Sequence, residues 1–179
     1  MRNAVLLSIA AGLVLGCAQL RAQEPVVGVA DPEPLFHSSD PKIDANLQAT
    51  YHIYTDLLEA GHWDRANQYL TDRYIQHNPN AASGLAGVVY YFTKVLHVKP
   101  KPIPEKMHTK IVSVLAQGDL VVVATPREYK DPKTGKPYTT TWFDMWRFVD
   151  AKADEHWDSA TRPTPAPQPP KAGGSAPRK

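Results

Sequence analysis

Asp144 stands in a row of aromatic residues. Read as a strand, Thr139 to Val149 (TTTWFDMWRFV) alternates with period two, so Trp142, Asp144, Trp146 and Phe148 fall on one face and Phe143, Met145 and Arg147 on the other. A carboxylate among indoles has its charged form desolvated, which raises its pKa. Such a residue acts as an acid or base at the floor of an apolar pocket, or is an Asp tied down by a hydrogen bond near the core. The second titratable candidate is His77, in Tyr74 to Pro79 (YIQHNP). Alternation puts Ile75 and His77 on one face and Tyr74 and Gln76 on the other, and Asn78-Pro79 ends the strand at once. An imidazole at the end of an element, titrating near neutrality, is a competent general base. A satisfied structural histidine is the competing reading.

Other chemistries find less support. Cys17 is the only cysteine, which leaves the mature domain without an internal disulfide or a cysteine-based metal site. His156 alternates in step with Asp154 and Asp158, but no i,i+4 ligand pair accompanies it, so no metal is expected from His77, Asp144 and His156. No serine sits in a nucleophile-elbow pattern. The formal net charge of +2, with cations spread over linkers and tail, gives no nucleic-acid footprint.

The elements that must position these groups follow in order along the 179 residues. Residues 1–22 read as an export signal: Arg2 is followed by the uncharged apolar run Ala4 to Gly16, too short to span a bilayer. Val14-Leu15-Gly16-Cys17 resembles a lipobox, which would place a lipid on Cys17; the rival is ordinary cleavage after Ala22. Membrane contact is expected only through the signal or that lipid, and the compartment is the periplasm of a Gram-negative-type envelope. Residues 23–40, with Pro25, Pro32 and Pro34, form a linker or an arm lying on the domain. Asp40-Pro41 starts a helix as N-cap and first residue, carried by Ile43, Leu47, Tyr51, Tyr54, Leu57 and Leu58 on one face and ended by Gly61. Trp63 to Leu70 is a second helix. Gly84 to Leu96 is a third, with Leu85, Val88, Val89, Phe92 and Leu96 on its apolar side. Strands follow at Met107–Ala116, Leu120–Tyr129, Tyr138–Val149 and Glu155–Ser159, an antiparallel meander with turns at Gln117-Gly118-Asp119, Lys130–Lys136 and Ala151–Asp154. Residues 161–179 are proline-rich without an aromatic residue and read as a disordered basic tail.

Three helices, a short strand before the third and a final meander make an α+β domain. Residues 41–160 resemble the nuclear-transport-factor-2-like superfamily, and within it the SnoaL-like group of predicted aldol-condensation enzymes. The motifs that carry the resemblance are Tyr74-Ile75-Gln76-His77-Asn78-Pro79, Gln117-Gly118-Asp119-Leu120-Val121, and Asp144-Met145-Trp146-Arg147-Phe148 followed by Glu155-His156-Trp157-Asp158. The resemblance implies a cone in which three N-terminal helices pack on a curved antiparallel sheet around a pocket. Ketosteroid isomerase, a relative of that group, uses a carboxylic acid kept neutral by apolar surroundings as a hydrogen-bond donor. By similarity to it Tyr54 and a protonated Asp144 would be donors and His77 the base, with base and donor exchangeable between His77 and Asp144. Trp142, Trp146, Phe92 and His156 would line the site.

Three functions compete. The first is proton transfer next to a carbonyl, an aldol cyclisation or isomerisation of an apolar small molecule that needs a base and an enolate donor but no cofactor. The second is a non-catalytic module of the envelope that binds such a molecule. The third is a structural protein that forms a homodimer through its open sheet face, with the pocket plugged by side chains.

Overall fold

The computed structural model describes residues 23–162. The expected signal segment with Cys17, and the tail from residue 163 onward, lie outside them.

Helix α1 (Pro41–His52) begins where the sequence says it should. Asp40 is extended, and its carboxylate accepts the N–H groups of Lys42 and Ile43 at 2.9 and 3.1 Å, satisfying two donors that the first helical turn leaves free. The helix continues without a break as a π-helical segment, Ile53–Glu59. Gly61 stops the chain with φ 77°, where a Cβ would meet the Lys99 carbonyl oxygen at 2.8 Å. The expected second helix is shorter than its pattern. A 3-10 turn, Trp63–Arg65, leads into a single turn, α2 (Ala66–Tyr69), and Leu70 is already extended and opens strand β1 (Leu70–Gln76). Helix α3 (Leu85–Tyr90) also runs on as a π-helical segment, Tyr91–Val95.

Strands β2 (Ser113–Gln117), β3 (Leu120–Lys130), β4 (Pro137–Val149) and β5 (Lys152–Asp158) form the meander, and the five strands take the order β1-β5-β4-β3-β2. The sheet is mixed, because β1 pairs parallel to β5 while the other pairs are antiparallel. The strand expected from Met107 starts only at Ser113. Before it, the Glu59 carboxylate accepts the backbone N–H groups of His108 and Thr109, so those donors are not offered to a neighbouring strand. Strand β5 starts at Lys152 instead of Glu155, because the chain reverses at Asp150-Ala151. Both residues have positive φ, 48° and 57°, the twist that a two-residue hairpin requires. A register shift between Arg147 and Phe148 interrupts the β4–β5 pairing, and such bulges bend a strand.

The result is an α+β fold in which a few helices cover the concave face of a curved, open sheet. Leu47, Ile53, Leu57 and Val88 from the helical layer share one buried cluster with Val121, Val123, Trp146 and Phe148 from the sheet. The segment before α1 belongs to it too. Phe36 is fully buried, with its ring 5.5 Å from that of Tyr51, so residues 23–40 are an arm laid on the domain. Val29 N–H bonds to the Ile111 carbonyl and Val26 N–H to the Thr139 hydroxyl, which fastens the arm along its length.

One buried carboxylate ties the π-helical end of the first helix to α2. Asp56 is 4% exposed and accepts hydrogen bonds from the Tyr69 and Thr55 hydroxyls, both at 2.7 Å, with the His52 ring 3.5 Å away. Burial pushes its carboxyl up, but the two hydroxyls and His52 together outweigh that and hold it below its ordinary value of 3.8. In turn, burial and the bond to Asp56 push the Tyr69 hydroxyl up to about 12. A carboxyl lowered on folding stabilises the fold above its unfolded value, and that contribution is lost as pH falls through the lower folded value. A phenol raised on folding contributes below its unfolded value and loses that as pH climbs toward the folded one. Tyr69→Phe should therefore cost about 1–3 kcal/mol at neutral pH and flatten the stability profile at both its acid and alkaline ends, read from urea midpoints across pH. A variant profile that runs parallel to the wild type would show that these two bonds do not couple folding to protonation.

Candidate active site

The register of β4 fixes the floor of the cavity. Val121, Val123, Trp142, Asp144, Trp146 and Phe148 lie on the concave side, as the alternation of TTTWFDMWRFV requires, because directly paired residues share a face. The Asp144 side chain is 13% exposed and gathers three partners. The Tyr54 hydroxyl donates to Oδ2 at 2.8 Å, the Trp142 indole N–H donates to Oδ1 at 3.1 Å, and His156 Nε2 lies 3.2 Å from Oδ1. Asp144 is thus an acceptor for Tyr54, whereas the sequence reading had both as donors to a substrate. Burial, followed by the charge and hydrogen bond of Asp144, holds the Tyr54 hydroxyl well above its ordinary value of 10.0, so it stays protonated and donating.

His156 comes to Asp144 from β5, where it is paired with Trp146. Its ring lies between those of Trp146, 4.9 Å away, and Tyr74, 6.3 Å away, and is nearly parallel to the latter. Nδ1 is 2.8 Å from Gln76 Oε1. That oxygen also accepts the Asn78 backbone N–H at 3.0 Å, and a backbone N–H can only donate. Nδ1 must therefore carry a hydrogen. Nε2 then faces Oδ1, which already accepts from Trp142, and the contact needs one shared proton. The pair is an imidazolium with a carboxylate, or a neutral imidazole with a carboxylic acid; both forms are proton donor and acceptor in one unit.

The cavity that the pair opens into has a volume of about 540 Å³. Ile53, Leu57, Leu70 and Val88 supply apolar wall, and the sheet side carries Trp142, Asp144, Trp146, His156 and Asp158. Phe92 stacks on Trp63 with ring centroids 3.7 Å apart, and both line the cavity. The Trp63 indole N–H is buried with no acceptor among the described residues. Asp144, His156 and Asp158 each offer one ligand atom, all within 4.8 Å of one another. Their oxygens are nonetheless engaged by N–H and O–H donors, since Asp158 accepts from Asn78 Nδ2 and Ala160 N. That donor set suits a proton better than a metal ion.

The structure brings together Asp144, Trp142, Trp146, Phe92 and His156 around one cavity, with Tyr54 packed behind Asp144 and its ring edge-on to Trp146. It does not bring His77. That imidazole lies on the opposite face of the sheet, 43% exposed, bonded to Glu155 Oε1 at 2.8 Å and stacked 4.9 Å from the Trp157 ring. The expected shared cavity of His77 and Asp144 is corrected by the β1–β5 register. Gln76 pairs with His156, so Gln76 and Tyr74 turn inward and Ile75 and His77 turn out. The alternation was right and its polarity was inverted. Gln76, Asn78 and Asp158 were missed as site residues. The signal for Asp158 was present, since it alternates in step with His156. Gln76 had none, because only the pairing of distant strands identifies it.

No curated protein matches the chain. Among solved structures, a candidate polyketide cyclase from Acidithiobacillus ferrooxidans is 16% identical, covering 68% of this chain and 89% of that one, with a TM-score of 0.48. A second from Bacillus cereus is 18% identical over 75% and 84%, with a TM-score of 0.49. A candidate SnoaL-like polyketide cyclase from Jannaschia is 14% identical over 78% and 91%, at 0.46. A family model for the SnoaL-like domain matches residues 52–156, more than half of the chain and every element from the end of α1 to the His156 ring, and the protein belongs to that family.

Proposed function

We propose that the protein carries out cofactor-independent proton transfer next to a carbonyl, an aldol cyclisation or an isomerisation, on a small, largely apolar molecule. The observation that carries this reading is the Asp144–His156 pair, in hydrogen-bond contact at the floor of a cavity with apolar and aromatic walls. Membership of the SnoaL-like family supports small-molecule cyclase or isomerase chemistry as the class of reaction. Oδ2 of Asp144, with one lone pair taken by Tyr54, retains another to remove a proton from the carbon beside the carbonyl. The enolate carbon then attacks a second carbonyl carbon, a carbon–carbon bond forms, and the new alkoxide takes the Nε2 proton of His156. The proton on Oδ2 of Asp144 reaches the Oδ1 side by rotation of the carboxyl group, and from there crosses the 3.2 Å contact to Nε2 and restores the pair. His156 takes the place that the sequence reading gave to His77. The Tyr54 and Trp142 donors hold the Asp144 carboxylate in place during these transfers.

A second reading, a binding module without turnover, draws support from the saturation of the imidazole, whose two nitrogens are both occupied by protein groups. Deuterium exchange of the acidic carbon protons of 2-tetralone, followed by nuclear magnetic resonance in D₂O, separates the two. Wild type should accelerate exchange over buffer, and Asp144→Asn and His156→Gln should each lose about a hundredfold or more while still binding the ketone. Binding with no acceleration in wild type would leave only the second reading.

We propose further that the chain is exported, soluble or held by a lipid on Cys17; the support is the charged start and apolar run of residues 1–22. Cys17→Ala should shift the protein from the membrane to the soluble fraction if the lipid is real. Identical fractionation of variant and wild type removes the lipoprotein form.

The outer sheet face supports a homodimer, since Leu115 and Phe143 are 66% and 51% exposed there. Phe143→Glu should convert a dimer to a monomer in sedimentation, and a wild type that sediments as a monomer at micromolar concentration discards the idea.

A further inference from the structure

Arg127 is a cation that the cavity's own chemistry does not use. It follows Thr125 by one pleat on the concave face of β3, and Thr125 is the partner of Trp142. The guanidinium carbon lies 4.0 Å from the centroid of the Trp142 ring. Arg127 is exposed at the mouth and lines the cavity; no other arginine and no lysine does so among the described residues. The other guanidiniums of the sheet are answered by carboxylates, Arg73 by Asp154 and Arg147 by Asp119 and Glu155. Arg127 has no carboxylate within ion-pair distance among the described residues, and Trp142 holds it in place from one flat side. Its hydrogen-bonding edge is left for a guest.

We infer that the substrate is an anion, a mostly apolar aromatic or polyunsaturated molecule bearing a carboxylate, and that Arg127 binds this group and sets the direction in which the molecule enters. The inference rests on the reading of the cavity as a small-molecule site. Trp142 links the two ends: its face carries Arg127, and its N–H points at Asp144. A molecule lying along this indole places its carboxylate at Arg127 and its reacting carbon at the Asp144–His156 pair, about one indole length deeper. The reverse orientation brings the carboxylate against Asp144 and Asp158, where like charges repel in a partly desolvated space. The field of Arg127 also reaches the inner site, where it opposes the upward shift of the Tyr54 hydroxyl. A planar guanidinium can stack on an indole and grip a carboxylate with two N–H groups at once, which an ammonium cannot do. The apolar class expected from the sequence thus becomes amphipathic.

Calorimetric titration of the full chain with 2-naphthoate and with its neutral isostere 2-naphthamide tests this. Wild type should bind the carboxylate about tenfold or more tightly than the amide, and the preference should shrink with salt. Arg127→Gln should abolish the preference while leaving the affinity for the amide unchanged, and Arg127→Lys should restore it only in part. Circular dichroism reports whether each variant is folded. Equal affinities in wild type, a preference that survives Arg127→Gln, or failure of both probes to bind would overturn the inference. A protein that fails the ketone exchange assay but keeps the naphthoate preference loses the proposed reaction and keeps its anion site, so the two failures are distinct.

Discussion

A carboxylate on the floor of an aromatic cavity is affordable only if donors surround it, and the site is built around meeting that demand at Asp144. Leaving such a group without partners would cost several kcal/mol. Three parts of the chain supply them: the π-helical end of the first helix gives the Tyr54 hydroxyl, β4 itself gives the Trp142 N–H, and β5 gives His156. Two of the donors are anchored by the main core, Tyr54 at 3% exposure and His156 through Trp146 at 2%. The donors that make the carboxylate tolerable also place it beside a titratable ring. Stability and chemistry therefore share the same hydrogen bonds.

The single parallel pairing of the sheet has a local purpose within this frame. It sets Gln76 beside His156 and lets the amide oxygen fix which nitrogen carries a hydrogen. An imidazole with only an aromatic sandwich around it could present either nitrogen to Asp144. With Gln76 in place, and with Gln76 itself oriented by the Asn78 backbone, only Nε2 faces the carboxylate. Pairing β1 in the opposite direction would offer a different set of residues to His156.

The two faces of the sheet divide the ionisable groups. On the outer side Arg147 bridges Asp119 and Glu155, and His77 completes the cluster. The His77 hydrogen bond, with Arg147 behind it, holds the Glu155 carboxyl below its usual range, and the Arg147 bond does the same for Asp119. This network is exposed, so screening by water keeps its contribution to stability small. On the inner side the ionisable groups are fewer and less hydrated, and Asp144 and His156 lie in hydrogen-bond contact. A histidine on the outer face is therefore hydrogen-bonded to a surface carboxylate, while one on the inner face meets a mostly buried one.

Much of this was readable in the residues themselves. The Asp40 cap, the stop at Gly61, the meander, and the placement of Asp144 among Trp142, Trp146 and Phe148 all follow from local rules, because capping, left-handed φ and the two-residue pleat act between near neighbours. Where local pattern and partner disagreed, the partner prevailed: Glu59 took the backbone donors of His108 and Thr109, and the strand expected there began at Ser113. The histidine of the site was decided at the same level. Periodicity tells which residues share a face, but not which face looks inward. His77 and Gln76 were correctly separated, and only the pairing of Gln76 with His156, eighty positions along the chain, turned one toward the cavity and the other to solvent. Burial of a face is a property of what packs against it, and that is set by contacts between distant segments.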